Sequence, residues 1–157
     1  MTGLIRVLFL CTGNSARSQI AEALLNWKGK GRFHAESAGS QPAPRVHPLA
    51  IETLAAHAIP WSGHAPRGLD AVTHQRWDLV ITVCDRAKDA CPVFPAGPVL
   101  AHWSIADPAH VDGDQVTRGT AFAEAFRRIE GRIDALLALP VETLEPLALA
   151  ARVHAAS

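Results

Sequence analysis

The sequence predicts an α/β protein, a three-layer sandwich in which about four parallel strands lie between helices. Two β-branched and apolar runs, residues 5–10 (IRVLFL) and 78–83 (DLVITV), have the composition of buried strands. Segments with apolar residues at helical spacing separate the strand runs, and helices between strands imply parallel pairing through right-handed crossovers. The chain is 157 residues long, about one domain's worth.

The first strand run stops at Cys11-Thr12-Gly13-Asn14, a polar turn. A helix is expected over 18–28, where Ile20, Ala21, Ala23, Leu24, Leu25 and Trp27 recur at helical spacing before Gly29-Lys30-Gly31 ends the pattern. Residues 32–37 form a second, short strand, and a Gly/Pro/Ser-rich stretch over 38–48 leads to a helix over 49–57. A weaker helix is expected over 69–75, then the strand over 78–83 with Cys84 at its carboxyl end. Residues 99–102 make a fourth strand. Residues 117–139 make a long helix carrying Phe122, Phe126, Ile129, Ile133, Leu136 and Leu137 on one face. This places one domain over 1–139. The tail, 140–157, is compatible with a packed extra helix or a frayed end.

Composition narrows the function. Hydrophobic residues make up 48% and charged residues 19% of the chain, an ordinary globular balance. Fifteen Lys and Arg face fifteen Asp and Glu, so broad attraction to nucleic acid or an anionic membrane is not expected. The apolar run over 7–11 is far short of the roughly 18 residues of a membrane span and too short for a signal h-region, so a cytoplasmic protein is expected. Three cysteines do not look like a disulfide framework, and the eight histidines show no metal-ligand spacing. No cofactor and no resident metal are expected.

Chemistry concentrates in the loop Cys11-Thr12-Gly13-Asn14-Ser15-Ala16-Arg17-Ser18, between a strand and a helix. A loop wrapping onto a helix N-terminus points backbone N–H groups inward and suits a tetrahedral oxyanion. Gly13 and Asn14 tolerate the left-handed backbone such a nest uses. Arg17 is placed to close over two oxyanion oxygens with its planar fork. The same N–H groups and dipole favour a thiolate, so Cys11 is expected to titrate below the usual value of about 8.5. Ser18 either donates to that sulfur or caps the helix.

CTGNSARSQ after VLFL resembles the phosphate loop of the low-molecular-weight protein tyrosine phosphatase fold, in particular its arsenate reductase branch, over about residues 4 to 137. The stretch CPVFPAGPVLAHWSIADPA is similar to the same branch. The phosphatase branch usually carries tyrosines after the Asp-Pro to hold an aromatic substrate, whereas this chain has Ala109-His110 there and no Tyr anywhere. The resemblance implies that Asp107, before Pro108, is a general acid; without it, Asp107 reads as a turn residue capping its own backbone.

Cys84 and Cys91 flank six residues, DRAKDA, whose composition favours a short helix. A disulfide needs Cα atoms about 4.4–6.8 Å apart, whereas seven residues of helix span roughly 10.5 Å. The pair therefore joins only if the segment unwinds, or else it is two reduced thiols. With the resemblance, the expected function is arsenate reduction for arsenic detoxification. Cys11 attacks arsenate, Cys84 forms a disulfide with Cys11, and Cys91 moves that disulfide to Cys84–Cys91, where thioredoxin, or glutaredoxin with glutathione, reduces it. The alternatives are a phosphatase acting through a Cys11 thiophosphate and a non-enzymatic oxyanion-binding module. Some members of the family bind potassium at positions matching Asn14, Glu22 and Ser37, but Arg67 stands at the remaining acidic position, where it would repel a cation.

Overall fold

The computed structural model describes residues 3–61, 63–95, 97–143 and 145–155, with nothing described for the side chain of Leu147. Four strands, β1 (Ile5–Cys11), β2 (Phe33–Gly39), β3 (Leu79–Thr82) and β4 (Val99–His102), form one parallel sheet in the order β2-β1-β3-β4. The helices are α1 (Arg17–Lys28), α2 (Pro48–Ala56), α3 (Asp85–Asp89), α4 (Gln115–Leu137) and α5 (Pro146–Ala155). Val7, Leu8, Phe9, Leu79, Val80 and Ile81 are all fully buried. That is the expected state of central parallel strands, which are covered on both faces and so read as continuous apolar runs.

The chain leaves β1 toward β2 on one side and returns to β3 on the other. This is the strand-order reversal outside whose carboxyl ends α/β proteins open a crevice. Cys11 ends β1 and Cys84 follows β3, so the reversal brings together thiols that are 73 positions apart in sequence.

α1 and α2 pack on α4, while α5 packs on β4 and α3 touches β1 and β3. α4 buries Phe122, Phe126, Ile129, Ile133 and Leu136, five of the six face residues expected of it. It begins earlier than expected because the Asp114 carboxylate caps it, accepting the Thr117 N–H at 2.8 Å. β2 runs on to Gly39, since its register with β1 continues to the pair Cys11 and Gly39.

The helix expected over 69–75 is a single 3₁₀ turn, Leu69–Ala71. Beyond it, buried Val72 and Trp77 draw the chain into the core, with the Trp77 indole donating to the Val72 carbonyl at 3.0 Å. The tail is a packed helix over Pro146–Ala155. Val153 and Leu149 are buried, and the Trp103 indole donates to the Val153 carbonyl at 2.8 Å. Ala156 and Ser157, the end of that tail, lie outside the described residues. Among the described residues no helix is long and apolar enough to cross a membrane.

Candidate active site

Residues 12–16 leave the carboxyl end of β1 and wrap onto the start of α1. The segment after β2 runs beside this loop and fixes its carbonyls. Ser40 N–H donates to the Cys11 carbonyl at 3.1 Å, Gln41 to Thr12 at 2.9 Å, Ala43 to Gly13 at 2.8 Å and His47 to Ser15 at 2.9 Å. The Asn14 carbonyl accepts from the Gln19 amide at 3.1 Å. In a trans peptide the N–H points opposite its C=O. Carbonyls held outward therefore turn the loop's N–H groups toward the Cys11 sulfur, and the Asn14 N–H reaches it at 3.1 Å. α1 has no side-chain cap and no acidic residue in its first turn, so its N-terminal donors and dipole are left for an anion.

Asn14 has φ 51°, the left-handed conformation expected at the turn, whereas Gly13 is not among the residues of positive φ. The glycine that the loop depends on is Gly39. A Cβ there would stand 2.3 Å from the Thr12 carbonyl oxygen and 2.9 Å from the Asn14 nitrogen. No local signal in the sequence marked it, because its neighbour is a loop more than twenty residues away.

Cys11 Sγ lies 2.8 Å from Ser18 Oγ, inside α1. Of the two roles open to Ser18, the structure shows the sulfur contact. Burial is the largest influence on Cys11 and pushes its thiol up, against the pull of Ser18, the Asn14 N–H and Arg17. The expected fall of this thiol is thus reversed. The residue is only 3% exposed, and desolvation penalises the thiolate.

Arg17 donates from Nη1 to the Ile105 carbonyl at 2.9 Å, and its Nη2 lies 3.4 Å from Asp107 Oδ2. Asp107 does what a turn residue does, accepting the Ala109 N–H at 2.9 Å through Oδ1. Its other oxygen faces Arg17, on the cleft. His110 Nε2 stands 3.5 Å from that oxygen at the exposed rim.

Cys84 is buried, with its sulfur 3.3 Å from Thr12 Oγ1. Cys11, Thr12, Gly13, Ser15, Ala16, Arg17, Cys84 and Asp107 all line one cleft of about 580 Å³, with Asp85, Arg86, Ala109 and His110 completing its wall on that side. Asn14 and Ser18 are fully buried behind it. Cys91 is elsewhere, in a second recess beyond the α3 segment, and burial raises its thiol. All three cysteines are free thiols, and the segment between Cys84 and Cys91 contains the expected short helix, α3.

Asn14, Glu22 and Ser37 do meet, but as a closed network. The Asn14 amide donates to Ser37 Oγ at 2.8 Å, and Ser37 Oγ donates to Glu22 Oε1 at 2.7 Å. His64 Nε2 lies 2.9 Å from the same Glu22 oxygen. Arg67 donates from its backbone to Asn14 Oδ1 at 3.0 Å, and its Nε bonds the Ser37 carbonyl at 3.0 Å. Hydrogen-bond donors thus point at the oxygens a potassium ion would use, so these residues do not fit one. Gln19, His64 and Arg67 brace the loop; Gln19 ends the loop motif and Arg67 stands at the position of an acidic ligand, but nothing in the sequence marks any of the three as a brace.

The family model of the low molecular weight phosphotyrosine protein phosphatases matches residues 6–146. The arsenate reductase of Halalkalibacterium halodurans is 35% identical over 130 residues, which is 81% of this chain and 91% of that protein. The thioredoxin-dependent arsenate reductase of Corynebacterium glutamicum superposes with a TM-score of 0.66 at 32% identity, over 87% of this chain and 61% of that one. The arsenate reductase of Archaeoglobus fulgidus does so with a TM-score of 0.62 at 35% identity, over 82% and 98%. The chain belongs to the low molecular weight phosphotyrosine protein phosphatase family, and its relatives there include arsenate reductases.

Proposed function

We propose that this protein reduces arsenate to arsenite through a Cys11, Cys84, Cys91 relay. The observation that carries the reading is that Cys84 opens into the same cleft as Cys11, at the start of a short helix whose far end leads to Cys91. Phosphate ester hydrolysis needs neither Cys84 nor Cys91. The similarity to arsenate reductases supports the same reading.

Arsenate sits on the N–H groups of residues 12–17 with Arg17 against its oxygens. The Cys11 thiolate attacks arsenic, and an oxygen leaves with a proton from Asp107. Cys84 then attacks the Cys11 sulfur. The electron pair of the S–As bond passes to arsenic, which leaves as arsenite, and a Cys11–Cys84 disulfide remains. Cys91 attacks Cys84, frees Cys11 as a thiolate and forms Cys84–Cys91. A dithiol protein of the thioredoxin class, as with the Corynebacterium relative, supplies two electrons and two protons to reopen it; glutaredoxin with glutathione is the other candidate.

The cleft wall is lined by Ala43, Ala109 and His110, and no Phe, Tyr or Trp lines it among the described residues, which disfavours a phosphotyrosine substrate. The deciding experiment is arsenite formation with thioredoxin, thioredoxin reductase and NADPH, wild type against Cys84→Ser. Loss of turnover in the variant is expected. Full arsenate turnover without Cys84 would overturn the relay, and phosphatase turnover with no arsenite formed by the wild type would replace it with hydrolysis.

A further inference from the structure

His102 ends β4 beside Thr82, its register partner at the end of β3. Its Nδ1 is 2.7 Å from Thr82 Oγ1, and its Nε2 is 3.0 Å from Asp85 Oδ1. The His102 side chain is 12% exposed, and that of Asp85 is 82% exposed. An ionised carboxylate only accepts hydrogen bonds, so Nε2 carries the hydrogen in this contact, while Thr82 suits either state of Nδ1 because a hydroxyl donates or accepts. The sheet thus holds the first residue of α3 through one oriented ring.

α3 has five residues, too few to be stable from its own hydrogen bonds. Its N-cap is Cys84, whose sulfur accepts the Ala87 N–H at 3.4 Å. Cys84 faces the oxyanion cleft, whereas Cys91 faces a recess of about 270 Å³ whose wall includes Val80, Leu100 and the His102 ring. Joining the two sulfurs requires Cys84 to give up its cap and Asp85 to leave its place. The His102 to Asp85 contact opposes that movement.

We propose that His102 is a positioning residue of the relay. Held by Thr82 and holding Asp85, it keeps α3 wound, so that Cys84 stays aimed into the cleft and the Cys84–Cys91 disulfide is disfavoured until Cys84 has reacted. This rests on the relay reading and adds to it the group that sets the order of its steps. Removing the contact makes the second disulfide form more readily.

The test uses the full chain with Cys11→Ser, which leaves Cys84 and Cys91 as its only thiols. The protein is equilibrated with mixtures of oxidised and reduced dithiothreitol, and the oxidised fraction is read after alkylation. Forming the disulfide passes two electrons and two protons to the oxidised dithiothreitol, so the midpoint ratio measures its stability. His102→Ala is expected to move the midpoint roughly two- to tenfold toward the disulfide, the range for losing one hydrogen bond. Asp85→Asn should move it the same way, and adding it to His102→Ala should add little. His102→Gln, which keeps an N–H on the side chain, should fall nearer the parent. Leu54→Ala, a core truncation in α2, should leave the midpoint in place.

Unchanged midpoints in both His102→Ala and Asp85→Asn overturn the proposal, as does an equal shift in Leu54→Ala. If His102→Ala does not fold, the exposed Asp85→Asn decides alone. If Cys84 and Cys91 form no disulfide at any ratio in the Cys11→Ser parent, the relay itself fails and the proposal falls with it.

Discussion

Ser18 Oγ accepts a hydrogen bond from the Asn14 side-chain amide at 2.8 Å, which leaves its own hydrogen for the Cys11 sulfur, also at 2.8 Å. Asn14 thereby orients the group that opposes the burial of Cys11. Hydrogen bonds to a charged partner are worth about 1.5–3 kcal/mol. Ser18→Ala should therefore raise the Cys11 thiol further and cut the thiolate fraction below its pKa by about tenfold or more. Sign and site are checked together by the pH dependence of Cys11 alkylation in a Cys84→Ser, Cys91→Ser background. The curve should move to higher pH in Ser18→Ala; an unmoved curve removes Ser18 from thiolate stabilisation.

Cys91 is outside the cleft that holds Cys11 and Cys84, so the proposed relay brings it in only after those two have reacted. Cys91→Ser should complete one arsenate reduction per enzyme and stop, with Cys11 and Cys84 joined. Quenched single-turnover samples, alkylated and digested, would show that pair by mass. Repeated turnover with thioredoxin in this variant would contradict the order of the relay.

The strand, loop and helix around Cys11 were legible because each is encoded by adjacent residues: an apolar run, a polar turn, then apolar residues at helical spacing. The tertiary braces on that loop were not. Gly39 lies under Thr12, Arg67 donates its backbone N–H to Asn14, and Ser40 to His47 clamp the loop carbonyls. These contacts join residues 27 to 53 positions apart, across a register between β1 and β2 that no single segment states. The direction of the Cys11 shift was missed for a related reason. Helix position is visible in sequence, but the depth at which the sulfur is buried is a property of the packed fold. Leu69 to Gln75 failed differently, since Val72 and Trp77 are claimed by the core and override a weak local preference.

Gly39→Ala should cost activity out of proportion to stability. The added methyl meets backbone atoms of Thr12 and Asn14, which have no rotamer by which to move aside. Overpacking of this kind typically costs about 1–3 kcal/mol. Much of the relief would come from displacing the loop, so affinity for inorganic phosphate should fall by at least tenfold while the protein remains folded. Calorimetric phosphate titration beside a thermal melt distinguishes this from general unfolding. Parent-like phosphate affinity in a folded Gly39→Ala would show that the loop tolerates the methyl.

His64 sits 2.9 Å from Glu22, and that hydrogen bond holds the imidazole above its ordinary value of 6.5. A group whose folded pKa is raised binds its proton more tightly in the folded protein. Its contribution is therefore fully present below about pH 6.5, the unfolded value, and is lost as pH rises through the folded one. Denaturant midpoints measured from pH 5.5 to 8.5 should show a decline in the parent that His64→Gln flattens. Glu22 in turn accepts from Ser37, and Ser37 from Asn14, so the same titration bears on the loop that carries Cys11. An equal decline in both proteins would assign the pH dependence to another group and leave His64 without a role in it.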